Sequence, residues 1–426
     1  MTAMQRLRRG ALLLLFLASM PPADPQEPLP LARFQEKIRQ DLAQIPNYTC
    51  LETIERYERG PHGKPFNPVD TVRLEVSNVD GKELFAWPGA RRFEDRDIAD
   101  LVSTGAMGTG MFALFAHMLF DGDKGVFRYK GEEELSRRRA VRYDFRVAQS
   151  DSAYKVTSGA DSAIVAAKGS VWFDPVSLDL IRLDGYGDAM PFKLHLEEAL
   201  LRIDYARRHI GNSDALLPEK SEMALTYFSG EAHRNVTEFS ECRAYRSEST
   251  ISFEPPPESL PAPKPPVREV DLPAGLVVPV ELETAVDSKT ASVGDPLRAR
   301  VLQDIRYNGD STLPVGAVIT GHIRNLDRRA SASQFDVGIE FSEVEWPGAR
   351  AKFYGELLEI DRRTAGKPPL LTYFDGQRTK VAITNDLPGV GIFHLSGARF
   401  HIAPGLHMVW RTLGSGPGSA SALQFR

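Results

Sequence analysis

Cysteine is almost missing from this chain: Cys50 and Cys242 are the only two in 426 residues. That rules out a disulfide-dense scaffold and a cysteine-ligated metal framework. Long apolar runs are scarce too. The N-terminal run, Ala11 to Met20, is about half of the roughly 20 residues that a membrane-spanning helix needs, and no other segment exceeds it. Charge of one sign is nowhere concentrated. The formal net charge is -5, with no basic stripe suited to nucleic acid and no acidic tail. Familiar catalytic signatures are also missing. The chain has no His-Glu-x-x-His helix, no Gly-x-x-x-x-Gly-Lys-Ser/Thr loop and no Gly-x-Ser-x-Gly elbow. These absences remove the easiest enzyme readings and leave binding, a structural role or an unrecognised hydrolase; the expectation is a non-enzyme with no cofactor implied.

What is present begins with "MTAMQRLRRGALLLLFLASMPPADPQEP". Three arginines, a short apolar stretch and then small residues and prolines are the order of a cleavable secretory signal, here residues 1–26. No cysteine lies at the cleavage region, which argues against a lipid-modified N-terminus. The mature chain is expected in the periplasm or outside the cell, without a transmembrane anchor. An oxidising compartment lets Cys50 and Cys242 pair. A bridge enclosing most of a domain contributes about 5 kcal/mol in the loop-entropy model. Two separate buried thiols are the alternative.

"EPPPESLPAPKPPVREVDLPAG" holds eight prolines between Pro255 and Pro273 and marks a semi-rigid spacer. It divides a domain over residues 27–253 from one over 273–412, with a linker at 254–272 and a disordered tail at 413–426. The first domain opens on a helix: Leu31, Phe34, Ile38 and Leu42 form a stripe that Pro46 ends. Strands follow. "DTVRLEVSNVDGKELFAWPG" is a hairpin about Asp80-Gly81, and "AVRYDFRVA" alternates with Val141, Tyr143, Phe145 and Val147 on one face. "SAIVAAKGSVWFDPVSLDLIRLDG" turns at Asp174-Pro175, and further strands complete a meander. One helical segment interrupts them, "DIADLVSTGAMGTGMFALFAHMLF", broken at Gly105, Gly108 and Gly110. The second domain carries short strands at turn-punctuated spacing and almost no helical signal. The fold class is therefore α+β: a helix-capped antiparallel half-barrel followed by a small all-β barrel or sandwich.

The order of a leading helix, a long meander, helices inserted after the third strand and "GSVWFDPVSLDLIRLD" resembles the lipoprotein-carrier superfamily of LolA- and LolB-like half-barrels. That resemblance covers about half the chain. It implies a curved sheet whose concave face, plugged by helices, receives acyl chains. In the second domain, "LPAGLVVPVELETAVDSKTASVGDPLRARVLQDI" and "LPVGAVITGHI" repeat a Pro-x-Gly turn, strand, Gly-Asp turn and strand. This resembles the outer β-barrel of conjugation and type IV secretion scaffolds, although no membrane-crossing segment accompanies it here. The pairing of these two halves resembles that of envelope proteins of soil bacteria.

Three weak patterns need weighing. "DGDKGVFRYKGE" has acids at calcium-loop positions 1, 3 and 12, but Val126 stands where the sharp turn requires glycine. Ser152 to Lys155 has Ser-x-x-Lys spacing without its companion motifs. His394, His401 and His407 cluster without a shared face. The functional candidates are the soft apolar residues of the insertion: Met107, Met111, Phe112, Phe115, Met118 and Phe120. Thioethers and aromatic rings adapt to irregular apolar shapes, so this surface suits an acyl ligand or lipidated partner. The same residues would also serve simply as core beneath the sheet. An exported carrier of an apolar or lipid-like ligand is the leading expectation. The alternative is a structural or assembly protein that contacts other envelope proteins.

Overall fold

The computed structural model describes residues 31–414, except 62, 64, 80–81, 92, 94–97, 103–104, 109–113, 122–123, 245–266, 309, 330–333, 361–370, 373–380 and 398. The expected signal peptide, most of the proline-rich spacer and nearly all of the tail lie outside the described residues, as do Met111 and Phe112.

The chain opens with α1 (Leu31–Ala43), which buries Phe34 and Ile38 and ends ahead of Pro46. Three strands follow: β1 (Tyr48–Arg59), β2 (Asn67–Val79) and β3 (Lys82–Ala86). The insertion holds two short helices, α2 (Ile98–Leu101) and α3 (Leu114–Phe120). Next come β4 (Gly125–Leu135), β5 (Arg138–Val147), the small hairpin β6 (Lys155–Ser158) and β7 (Asp161–Ile164), and β8 (Ala166–Phe173). The long strands β9 (Leu180–Asp188), β10 (Leu196–Ile210), β11 (Ser213–Tyr227) and β12 (Ala232–Ala244) complete the unit.

These strands form one curled antiparallel sheet in the order β3-β2-β1-β12-β11-β10-β9-β8-β5-β4. Alternation decides its faces. Val141, Tyr143, Phe145 and Val147 are all buried, whereas Arg142, Asp144 and Arg146 face outward. The first and last strands of the meander lie side by side, and Cys50 on β1 is bonded to Cys242 on β12, with Cα atoms 4.0 Å apart. The bridge sits where the β1–β12 register shifts between Thr49 and Leu51, a bulge that brings the two sulfurs to one face. The strands that neighbour in sequence across the insertion, β3 and β4, are the two edges of the sheet. The described parts of the insertion lie between these edges: Trp87 follows β3, residues 106–107 meet β1 and β12, and α3 precedes β4.

The second sheet is built from β13 (Arg268–Val270), β14 (Val277–Leu282), β16 (Pro296–Val301), β19 (Val318–Arg329), β20 (Gln334–Trp346), β21 (Ala349–Lys352), β22 (Gly355–Ile360), β24 (Val381–Thr384), β25 (Val390–Ser396) and β27 (Leu406–Thr412). Its path is β13-β21-β20-β19-β16-β14-β27-β22, with β25 on the free half of β20 and β24 beside it. Gly391 on β25 is pressed against β22 and β27: a Cβ there would stand 2.6 Å from the Leu357 Cβ and 2.9 Å from the Trp410 ring. The β25 branch thus packs against the β27–β22 end of the path beside the fully buried Trp410. Smaller pairings join β15 (Val286–Asp287) and β23 (Leu371–Thr372) to β26 (His401–Ile402), and β17 (Ile305–Tyr307) to β18 (Asp310–Leu313). A single apolar core runs through both units, from Phe34 and Val72 to Val293 and Trp410.

Candidate functional site

The concave face of the first sheet divides into a dry half and a polar half. The dry half lies over β4, β5, β8 and β9. Phe34 of α1 stacks on Phe173 at 4.0 Å and meets Phe120 of α3 edge-on at 5.6 Å. Phe120 stacks in turn on Phe127, and Tyr143 on Phe173. Fully burying one such ring stabilises by about 1.5–3 kcal/mol, so this cluster anchors both helices to the sheet. Phe115 fits a notch made by a missing side chain, because a Cβ on Gly185 would lie 2.6 Å from its ring. Tyr154 closes the notch edge-on at 5.2 Å. Met118 presents its sulfur to the Ala153 amide at 3.3 Å and to the Ser152 hydroxyl at 3.6 Å.

The polar half lies over β1, β2 and β12. Alternation places Cys50, Glu52, Ile54 and Arg56 on one side of β1, and that side faces inward. Arg56 forms a bidentate pair with Asp70 of β2 at 2.6 and 2.5 Å, with side-chain exposures of only 5% and 1%. The guanidinium also meets the cover between the edges. Its Nη1 lies 3.9 Å from the Met107 sulfur, and a Cβ on Gly105, whose φ is +75°, would come within 2.7 Å of it. Asn235 of β12 donates to the Ala106 carbonyl at 2.7 Å. Gly108 rests on Met223 of β11, with its ideal Cβ 3.0 Å from the sulfur. Two glycines and three polar groups thus hold the middle of the insertion flat against the sheet. Glu52 is fully buried and neither carboxyl oxygen has a hydrogen-bond partner. Burial, and secondarily the nearby Glu83, push its pKa well above the carboxylate range, so it is held as the neutral acid.

The apolar candidates therefore divide. Phe115, Met118 and Phe120 are buried in the core, Met107 is half-buried against it, and Met111 and Phe112 lie outside the described residues. The open hollow implied by the carrier resemblance is not seen with the insertion in place: side chains of α1 and α3 occupy the concave face. A cleft of about 470 Å³ opens between Arg138, Arg139 and the Asp174–Asp179 turn. Arg56, Asp70, Glu52, Asn235 and Gly185 were missed as site residues. For Glu52 and Arg56 a signal exists, because both share the parity of Cys50 and Ile54 along β1.

The chain matches no family model, and no curated protein matches it. Three solved structures are similar over about half of it. One, from Vibrio parahaemolyticus, is described as an outer membrane lipoprotein-sorting protein domain. It is 12% identical with a TM-score of 0.28, covering 50% of this chain and 90% of its own. A DUF1329 family protein from Desulfovibrio piger is 14% identical with a TM-score of 0.28, covering 52% and 95%. A LolA superfamily protein from Nitrosomonas europaea is 11% identical with a TM-score of 0.23, covering 50% and 93%.

The remaining sequence patterns do not converge on chemistry. His394, His401 and His407 each pair with a different carboxylate: Asp336 at 2.7 Å, Asp287 at 3.1 Å and Glu281 at 3.0 Å. Ser152 turns its hydroxyl back to the Tyr154 amide at 3.0 Å, while Lys155 begins β6. Asp121 pairs with His117 at 2.7 Å, just past the end of α3. Among the described residues no helix is long and apolar enough to cross a membrane.

Proposed function

We propose that the first domain is a non-catalytic binding module of the cell envelope that takes up an apolar chain, free or attached to a partner. Uptake occurs by exchange against its own cover. One observation carries this reading: the insertion between the two edge strands puts Phe115, Met118 and Phe120 of α3 against the concave face, where an acyl chain would lie. The filled face is then the empty, closed state. The Cys50–Cys242 bridge supports it by holding the sheet independently of the cover, and it suits an oxidising compartment.

A removable clamp tests this. The ideal Cβ of Gly108 stands 4.0 Å from the Met223 Cβ, within the span of a disulfide. A G108C/M223C variant should bind 11-(dansylamino)undecanoic acid when reduced and exclude it when oxidised, with the parent unaffected by the same mild oxidant. Native mass spectrometry of the unclamped protein should show co-purifying acyl species. If neither form binds the probe and only the bare mass is seen, the assembly reading stands instead.

A further inference from the structure

The first stretch of the cover runs along the second domain. Trp87, immediately after β3, stacks on His322 of β19 at 4.3 Å, and the Arg324 guanidinium lies over its ring at 5.7 Å. Arg91 pairs with Glu345 and lies 3.6 Å from Glu343, both on β20. Arg324 is itself held by Glu340 at 3.2 Å and donates to the carbonyl of Leu101, the last residue of α2. A helix C-terminus exposes carbonyls that lack intrahelical partners, and a cation is the group best suited to them. Only a few residues later, Ala106 and Met107 are held by Asn235 and Arg56 on the concave face.

The second domain is fixed separately to the sheet. Val293 pairs with the β2 edge beyond the end of β3: its amide donates to Thr71 at 2.8 Å, and the Arg73 amide donates to it at 2.7 Å. Asp295 pairs with Arg73 at 2.6 Å. One rigid contact therefore holds the domain in place, and a second, through Arg324, reaches the cover.

We infer that the second domain is a clasp on the cover of the half-barrel, with Arg324 as its positioning residue. This deepens the function proposed above and rests on it in treating the described cover, residues 98–102 and 105–108, as movable. The cover cannot leave the concave face without breaking the Arg324–Leu101 contact, so displacing Arg324 removes one of the holds that keep it closed.

The test compares Arg324→Ala with Arg324→Lys, which keeps the charge but loses the fork that spans Glu340 and Leu101. Arg73→Ala is the control, since it removes a cation from the same domain interface without touching the cover. Amide hydrogen exchange of the full chain, with no ligand added, is read over residues 98–108. Losing a charge-assisted hydrogen bond should speed exchange there by about tenfold or more in Arg324→Ala and less in Arg324→Lys, leaving Arg73→Ala like the parent. Unchanged exchange in both Arg324 variants, or an equal rise in Arg73→Ala, overturns the clasp. If Arg324→Ala does not fold, Arg324→Lys alone is read by the same criterion. Association of 11-(dansylamino)undecanoic acid is followed separately. Faster exchange with no probe uptake by any variant supports the clasp and removes the binding function.

Discussion

At the scale of single residues, the buried carboxyl of Glu52 sets how stability depends on pH. Its folded pKa lies well above the unfolded value of about 4.3, so the folded state holds a proton that the unfolded chain releases. Its contribution is complete below that unfolded pKa and is lost as pH rises toward the folded one. Across that window the loss is about 1.4 kcal/mol per pH unit. Glu52→Gln cannot ionise. Its melting temperature should match the parent near pH 4 and exceed it increasingly as pH rises above that, which scanning calorimetry at a series of pH values checks; parallel curves would refute it. The inward direction of Glu52 and Arg56 was legible, because both alternate in step with Cys50 and Ile54. The partner of Arg56 was not. Asp70 faces it because the register that pairs Tyr48 with Asn78 runs unbroken to Arg56 and Asp70, and a single sequence does not record which residues of two strands will stand opposite each other.

At the scale of elements, the strands and α1 could be read from periodicity, and the pairing of the two cysteines followed from compartment and count. The cover could be read only as a glycine-broken helical segment. Its crossing depends on which strands become the edges, which is a property of the whole sheet. The Gly185 notch was equally hidden, since Phe115, which needs it, lies far away in sequence and the two meet only in the folded state. This pair yields a coupling prediction. Gly185→Ala places a methyl group in the Phe115 ring and should cost about 1–3 kcal/mol, as overpacking typically does. Phe115→Ala removes the obstacle, so the double variant should be more stable than the sum of the two single losses by at least about 0.5 kcal/mol. Denaturant titration of the four proteins measures this; simple additivity would mean that the ring does not dock there.

At the scale of the whole molecule, the two units share one apolar core and a short backbone pairing between Val293 and the β2 edge. Gly294 makes the pairing feasible. Its φ is +94°, and a Cβ would stand 2.1 Å from the Arg73 carbonyl and 3.0 Å from the Trp87 ring. Gly294→Ala should push the turn off the edge, so that calorimetry resolves two transitions where the parent shows one. A single transition at lowered temperature would place the coupling elsewhere in the interface. The Gly-Asp turn was visible in the sequence as punctuation between strands, but its contact with another domain was not, because nothing local records what a turn will touch.

The insertion is tethered at both ends to the rims it spans. The gape of the curl and the seat of the covering segment are therefore not independent: spreading the rims draws the strap taut, and slackening it lets them close. Any guest that widens the half-barrel would thereby pull on the same short stretch that Arg324 grips.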